Sequence, residues 1–254
     1  MPLKNNLFIT FSVLLLSLLA FSPPAQEFGK ITLPLGIVEV RSSESSEWVR
    51  AEVKQPVYVQ DRIRTKARSR AEITLTGGGK MRIGENSELE LTEASVKPMK
   101  KDFNANLSKG KIWVSAKAAF GEKKNVAIRT PTAVAAIRGT KYRVEAGEEE
   151  SSVLVYDGKV DVNWVENVQE MRKEQIEKKG GGPPKFKLGP VQEVEAPEQV
   201  AGPYEVTLEE WIILVEGMQI NIRKDGKYHI FEFDKDTDSD LDWVKWNKER
   251  DGEE

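Results

Sequence analysis

The sequence predicts a mainly β protein: stacked short antiparallel strands, arranged as a β-sandwich or a β-solenoid-like stack, with a small C-terminal α+β appendage. Three observations carry this. Across residues 28–165 apolar residues alternate with polar ones in short runs, the period of a strand whose successive side chains point to opposite faces. Turn signals punctuate those runs at Gly77-Gly78-Gly79, Gly84, Gly110, Gly121, Gly139, Gly147 and Asp157-Gly158, the even spacing of a sandwich or barrel. No run of helical period and length interrupts this part, whereas residues 203–254 mix helical spacing with a hairpin pattern.

The chain starts with Lys4, a polar pair, and an apolar run of 15 residues from Leu7 to Phe21. That is short of the roughly 20 residues a spanning helix needs. Ser22-Pro23-Pro24-Ala25 follows. A basic start, a short apolar stretch and a small residue read as a secretory signal over residues 1–25. The expected location is therefore extracytoplasmic, periplasmic or secreted. An uncleaved anchor is the alternative reading of the same run, and the one condition under which the membrane becomes a partner.

Composition narrows the chemistry. The 254 residues contain no cysteine and one histidine, His229. Disulfides, thiolate metal sites and thiol nucleophiles are excluded, and a two-His metal motif cannot be built. Without cysteine after the apolar run, a lipoprotein anchor is excluded too. The 38 basic and 41 acidic residues leave a net charge of −3. The near-balance hides a split: residues 28–165 carry a net of +6 and residues 166–254 a net of −9. Opposite signs on two regions predict electrostatic docking of one on the other.

The strand runs come in order. Val53, Val57, Val59 and Ile63 alternate with polar residues, then Ile73 and Leu75, Met81 and Ile83, Leu89 and Leu91, Ile112 and Val114, Val126 and Ile128, Tyr142 and Val144. VLVYDGKVDV, residues 153–162, places Asp157-Gly158 between alternating apolar residues, a two-residue hairpin signal because both turn positions need positive φ. Gly77-Gly78-Gly79-Lys80 lacks the earlier glycine and the following Ser/Thr of a phosphate loop, so it is expected to be a hairpin turn.

These pieces, in this order, resemble the FecR domain. The resemblance rests on VYVQDRIRTKARSRAEITL (57–75), with Asp61, Ile63, Thr65 and Ala71. It continues in TGGGKMRIGENSELEL (76–91), LSKGKIWVSA (107–116), VAIRTPTAVAAIRGTKYRV (126–144) and VYDGKVDV. The family signature falls on Thr130, Pro131, Gly139, Thr140 and Gly158. Pro131, without an N–H, suits a strand's first residue or an edge, and glycine at 139 permits positive φ or close backbone approach. The expected role of these residues is structural. The resemblance implies an extracytoplasmic sensing or binding module of the kind found in transmembrane signalling proteins. Six residues precede the apolar run, so a cytoplasmic anti-sigma segment is not expected.

Residues 166–202 read as a polar, Pro/Gly-rich connector that contains GGGPP at 180–184. Residues 203–254 read as the appendage. Thr207 with Glu210 resembles a capping box, and Leu208, Trp211, Ile212, Val215 and Met218 lie at helical spacing, which predicts a helix there. MQINIRKDGKYHIFEF (218–233) predicts a hairpin about Asp225-Gly226. A second helix is expected to start near Ser239, with Trp243 and Trp246 on one side. The appendage is expected to pack on the β domain through Trp211, Trp243 or Trp246.

Candidate chemistry is sparse, and no cofactor motif is present. Asp234, Asp236, Asp238 and Asp240 have the alternate spacing of a calcium loop, but Ser239 and Lys245 stand where that loop has glycine and glutamate. They are weak calcium candidates, and a helix-capping acidic loop is the default. Arg62 and Arg64 begin an alternating basic series through Arg70 that offers an anionic partner a cationic stripe, unless a turn near residues 66–70 breaks it. Arg62, Arg64, Trp211, Trp243 and Trp246 are thus the candidate partner-binding residues. The expected function is non-catalytic: an exported binding or regulatory module that engages an envelope protein. The alternative is a carbohydrate- or cell-wall-binding module using tryptophans. Nucleic acid is not an expected partner of an exported chain.

Overall fold

The computed structural model describes residues 25–116, 118–138, 141–165 and 211–252. Residues 1–24 of the expected signal, the stretch expected as a connector, the expected Thr207–Glu210 capping box and the Gly139-Thr140 pair lie outside the described residues. The described part is mainly β, with two short C-terminal helices. No helix among the described residues is long and apolar enough to cross a membrane.

Strand registers resolve the architecture into two stacked sheets. Sheet A runs β4 (Pro56–Tyr58), β1 (Glu27–Leu35), β6 (Arg70–Leu75), β7 (Lys80–Ile83), β9 (Lys100–Ser115), β12 (Lys141–Ala146), β13 (Glu150–Asp157), β16 (Met218–Arg223) and β17 (Tyr228–Glu232). Sheet B runs β3 (Val49–Arg50), β2 (Val38–Arg41), β5 (Arg62–Thr65), β8 (Glu88–Lys97), β9, β10 (Lys123–Arg129), β11 (Ala133–Arg138), β14 (Lys159–Trp164) and β15 (Ile212–Val215). Of these pairings only β9–β10 is parallel.

The 16-residue β9 belongs to both sheets. Its first part pairs with β8 and β10, and its last part with β7 and β12. The switch falls at Gly110, whose φ is +93°. A Cβ there would sit 2.1 Å from Ser87 Oγ, so glycine is required both for the backbone conformation and for the close approach.

The alternating residues read from the sequence fill the space between the sheets. Val57, Ile63, Ile73, Met81, Ile83, Leu89, Leu91, Ile112, Val114, Val126, Ile128, Tyr142 and Val144 are fully buried in one cluster, whereas Val53 lies exposed in the turn before β4 and Val59 is half-buried. Each fully buried side chain of this kind contributes about 1.5–3 kcal/mol. Phe28 and Phe103 meet edge to face at 5.2 Å in the same layer.

Two expectations are corrected. Asp157-Gly158 does not close a hairpin. β13 pairs with β12 and β16, while β14 pairs with β11 and β15. Gly158, at φ +86°, is instead the corner at which the chain leaves sheet A for sheet B. The signal reports a positive-φ turn and says nothing about whether its flanks pair. The helix expected through Ile212, Val215 and Met218 is also overturned, because these residues form β15 and β16. Ile212 and Leu214 face inward and Ile213 and Val215 outward, a period of two that the β-branched run satisfies equally well and that the free edge of β14 selects.

The expected hairpin and the expected helix carrying Trp243 and Trp246 are present, and a short helix precedes the latter where an acidic loop was expected. β16 and β17 form the hairpin about Asp225-Gly226, with Gly226 at φ +81°. Two helices follow, α1 (Lys235–Ser239) and α2 (Asp242–Asp251).

Candidate interaction faces

Each sheet has an outer face, and the two are used differently. On sheet A one cross-strand row reads Glu72, Arg82, Trp113, Arg143 and Leu154. Helices α1 and α2 cover it. Trp243 and Val244 pack on Trp113, with Tyr156 and Trp246 beside them. The Trp113 and Tyr156 ring centroids are 4.3 Å apart, and Trp243 stacks on Trp246 at 5.4 Å.

The covered row is charged, and the tail supplies the counter-ions. Arg82 Nη2 lies 2.7 Å from Asp251 Oδ1, and Arg143 Nη2 lies 2.8 Å from Asp238 Oδ1. Arg70 pairs with Asp242. Trp113 Nε1 donates to Asp251 Oδ2 at 3.1 Å, and Arg82 Nη1 donates to the Asn247 carbonyl at 3.2 Å. Burial pushes the Glu72 carboxyl up, but hydrogen bonds from Arg250, Arg82 and Thr32 outweigh it and hold the group at about 2. Burial pushes the Tyr156 hydroxyl up, so it stays protonated and donates to Asp238 at 2.7 Å. The charge split of the sequence is realised here as three aspartates of the tail on three arginines of sheet A.

This arrangement places several candidates. Asp234 caps α1, accepting from the Asp236 and Thr237 amides. Those bonds, with one from the Thr237 hydroxyl, hold its carboxyl below the ordinary range. Asp238 faces Arg143, Asp240 pairs with Lys245, and Asp236 is exposed. The helix spreads the four apart. Among the described residues no cluster of His, Asp and Glu could hold a metal ion. Trp243 and Trp246 point at the β domain.

The basic series divides. Arg62 and Arg64 are on β5 in sheet B, the chain turns at Arg68 (φ +54°), and Arg70 opens β6 in sheet A. Arg62 pairs with Glu90 at 3.3 Å. Arg64 pairs with Glu39 at 2.6 Å and lies over the Trp48 ring, and its hydrogen bond draws the Glu39 carboxyl below its ordinary range.

In the signature, Thr130 Oγ1 accepts from the Ala133 amide at 2.9 Å and its own amide donates to the Ala133 carbonyl at 2.8 Å. Thr130-Pro131-Thr132 thereby closes the tight turn between β10 and β11. Thr132 Oγ1 donates to the Ile222 carbonyl, tying that turn to β16.

Among the described residues no helix covers the outer face of sheet B. β15, at its edge, carries Ile213 and Val215 outward at 62% and 44% exposure, with Trp211 just before it at 46%. The spacing i, i+2, i+4 puts these three large side chains on one side of a strand. Inboard of them a trough of about 610 Å³ is lined by Ala127, Ala136, Asp161, Asn104, Trp211 and Ile213, among others. Sequence reasoning named Trp211 and Val215, on an expected helical face, but missed Ile213 between them, because helical spacing hid the alternation.

Comparison with known proteins follows the same residues. Residues 61–161 match the family model described as FecR protein, a span from Asp61, just before β5, into β14 that includes the β9 crossing. Two solved structures of a candidate anti-sigma factor from Parabacteroides distasonis are similar. They share 15% and 14% identity, and each match covers 68% of this chain and 60% of that one at a TM-score of 0.43. The chain thus spans less than two thirds of their length. No curated protein matches. Residues 61–161 of this chain are a FecR domain.

Proposed function

We propose that the chain is an exported, non-catalytic regulatory module that engages another protein of the cell envelope by strand addition at β15. The observation that carries this is the apolar stripe of Trp211, Ile213 and Val215 on a strand that, among the described residues, pairs only with β14. Edge strands are normally blunted by charge, proline or shortness. The other edges fit that rule. β3 is two residues long and carries Arg50, β4 begins at Pro56, and β17 carries His229 and Glu232. Ile212-Ile213-Leu214-Val215 carries neither charge nor proline. A partner strand would gain main-chain hydrogen bonds from the edge and side-chain contact from the stripe. The FecR match supports a regulatory role, and the N-terminal apolar run supports export. One histidine and no cysteine in the sequence support a binding rather than a catalytic role.

The test is capture from membrane extracts by the full chain and by its Ile213→Lys variant, with binding to purified wall polysaccharide measured in parallel. The reading expects an envelope protein captured by the first and lost by the second at unchanged stability. Polysaccharide binding that depends on Trp211, with no protein captured, would replace it with the cell-wall reading.

A further inference from the structure

The trough beside β15 has a definite origin. Ala127 on β10 lies opposite Ala136 on β11, in a row that the register continues to Asn104 on one side and to Asp161 and Ile213 on the other. Two methyl groups between longer side chains leave the hollow. Its charged lining is three carboxylates, Glu93, Asp102 and Asp161, against one ammonium, Lys100.

The carboxylates are not equivalent. Glu93 accepts from Asn104 Nδ2 at 2.6 Å. Asp102 accepts from Asn125 Nδ2 at 2.7 Å and pairs with Lys100 at 3.1 Å. Asp161 is half-buried and its carboxylate makes no hydrogen bond or ion pair among the described residues. It stands directly across from Ile213 and diagonally from Trp211, and both line the same trough.

We propose that Asp161, with the Trp211 ring beside it, is the subsite for an arginine or lysine side chain of the strand that adds to β15. The proposal rests on the strand-addition reading and names the partner's chemistry. A guanidinium or ammonium there donates a charge-assisted hydrogen bond to the Asp161 carboxylate and gains a ring-face contact with Trp211. It also balances the excess negative charge of the trough. An acidic side chain at that position is repelled by all three carboxylates. Reach is consistent with this choice. The added strand lies two strand spacings of about 4.8 Å from β14, and only the long basic side chains combine that span with a positive charge. The apolar stems of such side chains would cross Ile213 while the charged heads reach Asp161.

The test uses the full chain and synthetic strand peptides of alternating Val and Thr, each with a single Arg, Gln or Glu at one outward position. Affinity is read by anisotropy of a label on the peptide. The Arg peptide is expected to bind at least tenfold tighter than the Gln peptide, and the Glu peptide weakest. Asp161→Asn should abolish that ranking, and Asp161→Glu should restore it. Equal binding of all three peptides, lost in Ile213→Lys, would overturn the subsite and leave strand addition standing. Binding that is indifferent to Ile213→Lys, or no binding by any peptide, would overturn both. Binding of a soluble wall oligosaccharide that is lost in Asp161→Asn would assign the trough to a glycan instead.

Discussion

Arg82 and Asp251 form an ion pair at 2.7 Å with side-chain exposures of 0% and 3%. One belongs to the middle of sheet A and the other to the last turn of α2, so the last turn of that helix is held by a buried charge. Such a pair is worth little against a hydrophobic replacement, but removal of one partner strands the other. Asp251→Ala leaves Arg82 with Glu72 as its one buried carboxylate partner and is expected to destabilise the fold by no more than about 3–5 kcal/mol. Urea denaturation followed by tryptophan fluorescence measures this, and a loss under about 1 kcal/mol would show that Glu72, 2.8 Å from Arg82 Nε, is a sufficient counter-ion by itself.

Glu72 makes the same assembly sensitive to acid. Its carboxyl is held at about 2 in the folded chain, against an ordinary value of 4.5. A depressed folded value contributes stability that is complete above about pH 4.5 and is lost as pH falls toward 2. The contribution at neutral pH is about 3 kcal/mol. Glu72→Gln should lower stability at pH 7 and flatten its pH dependence between about 4.5 and 2. Parallel curves for the two proteins would show that other carboxylates govern acid unfolding.

The tryptophans should separate by role. Trp243, 5% exposed on Trp113, is expected to cost about 3–5 kcal/mol as Trp243→Ala. Trp211, 46% exposed, should change stability by no more than about 0.5 kcal/mol as Trp211→Ala while weakening partner binding. Thermal melts of the two variants decide this. Equal losses would mean that Trp211 is part of the core.

Gly110 sets the crossing of β9 between sheets. Gly110→Ala combines a φ of +93° with a Cβ driven onto Ser87, and is expected to cost of order 1–3 kcal/mol from the strained backbone alone. Ser87→Gly on top of it should recover only the side-chain share of the clash, because the Cα of residue 87 would still lie 2.5 Å from the new Cβ. A neutral Gly110→Ala in chemical denaturation would place the sheet crossing elsewhere on β9.

The interior of the sandwich was legible because burial imposes alternation directly. Ile73, Met81, Leu89 and Val126 could be named as core from spacing alone. The charge split likewise anticipated Asp238, Asp242 and Asp251 on the arginines of sheet A, though not which ones, since pairing depends on where α2 lands. Arg82 and Glu72 occupy the polar positions of their strands, so nothing in the alternation marks them as buried. A tertiary element covers them. The Asp157-Gly158 corner and the β15 strand were misread for related reasons. A positive-φ turn does not choose its partners, and Trp211, Ile212, Val215 and Met218 fit a helical face as well as Ile212 and Leu214 fit a sheet.

The β15 edge is the centre of this account, and site-specific photocross-linking tests it most directly. A photoreactive residue is placed in turn at Ile213, at His229 on the edge of sheet A, and at Val53 near the opposite end, in chains expressed in their native envelope. The account predicts one discrete cross-linked protein at position 213, absent at 229 and 53, and lost when Trp211→Ala and Val215→Lys are combined with it. Cross-linking at 229 or 53 with none at 213 would contradict it.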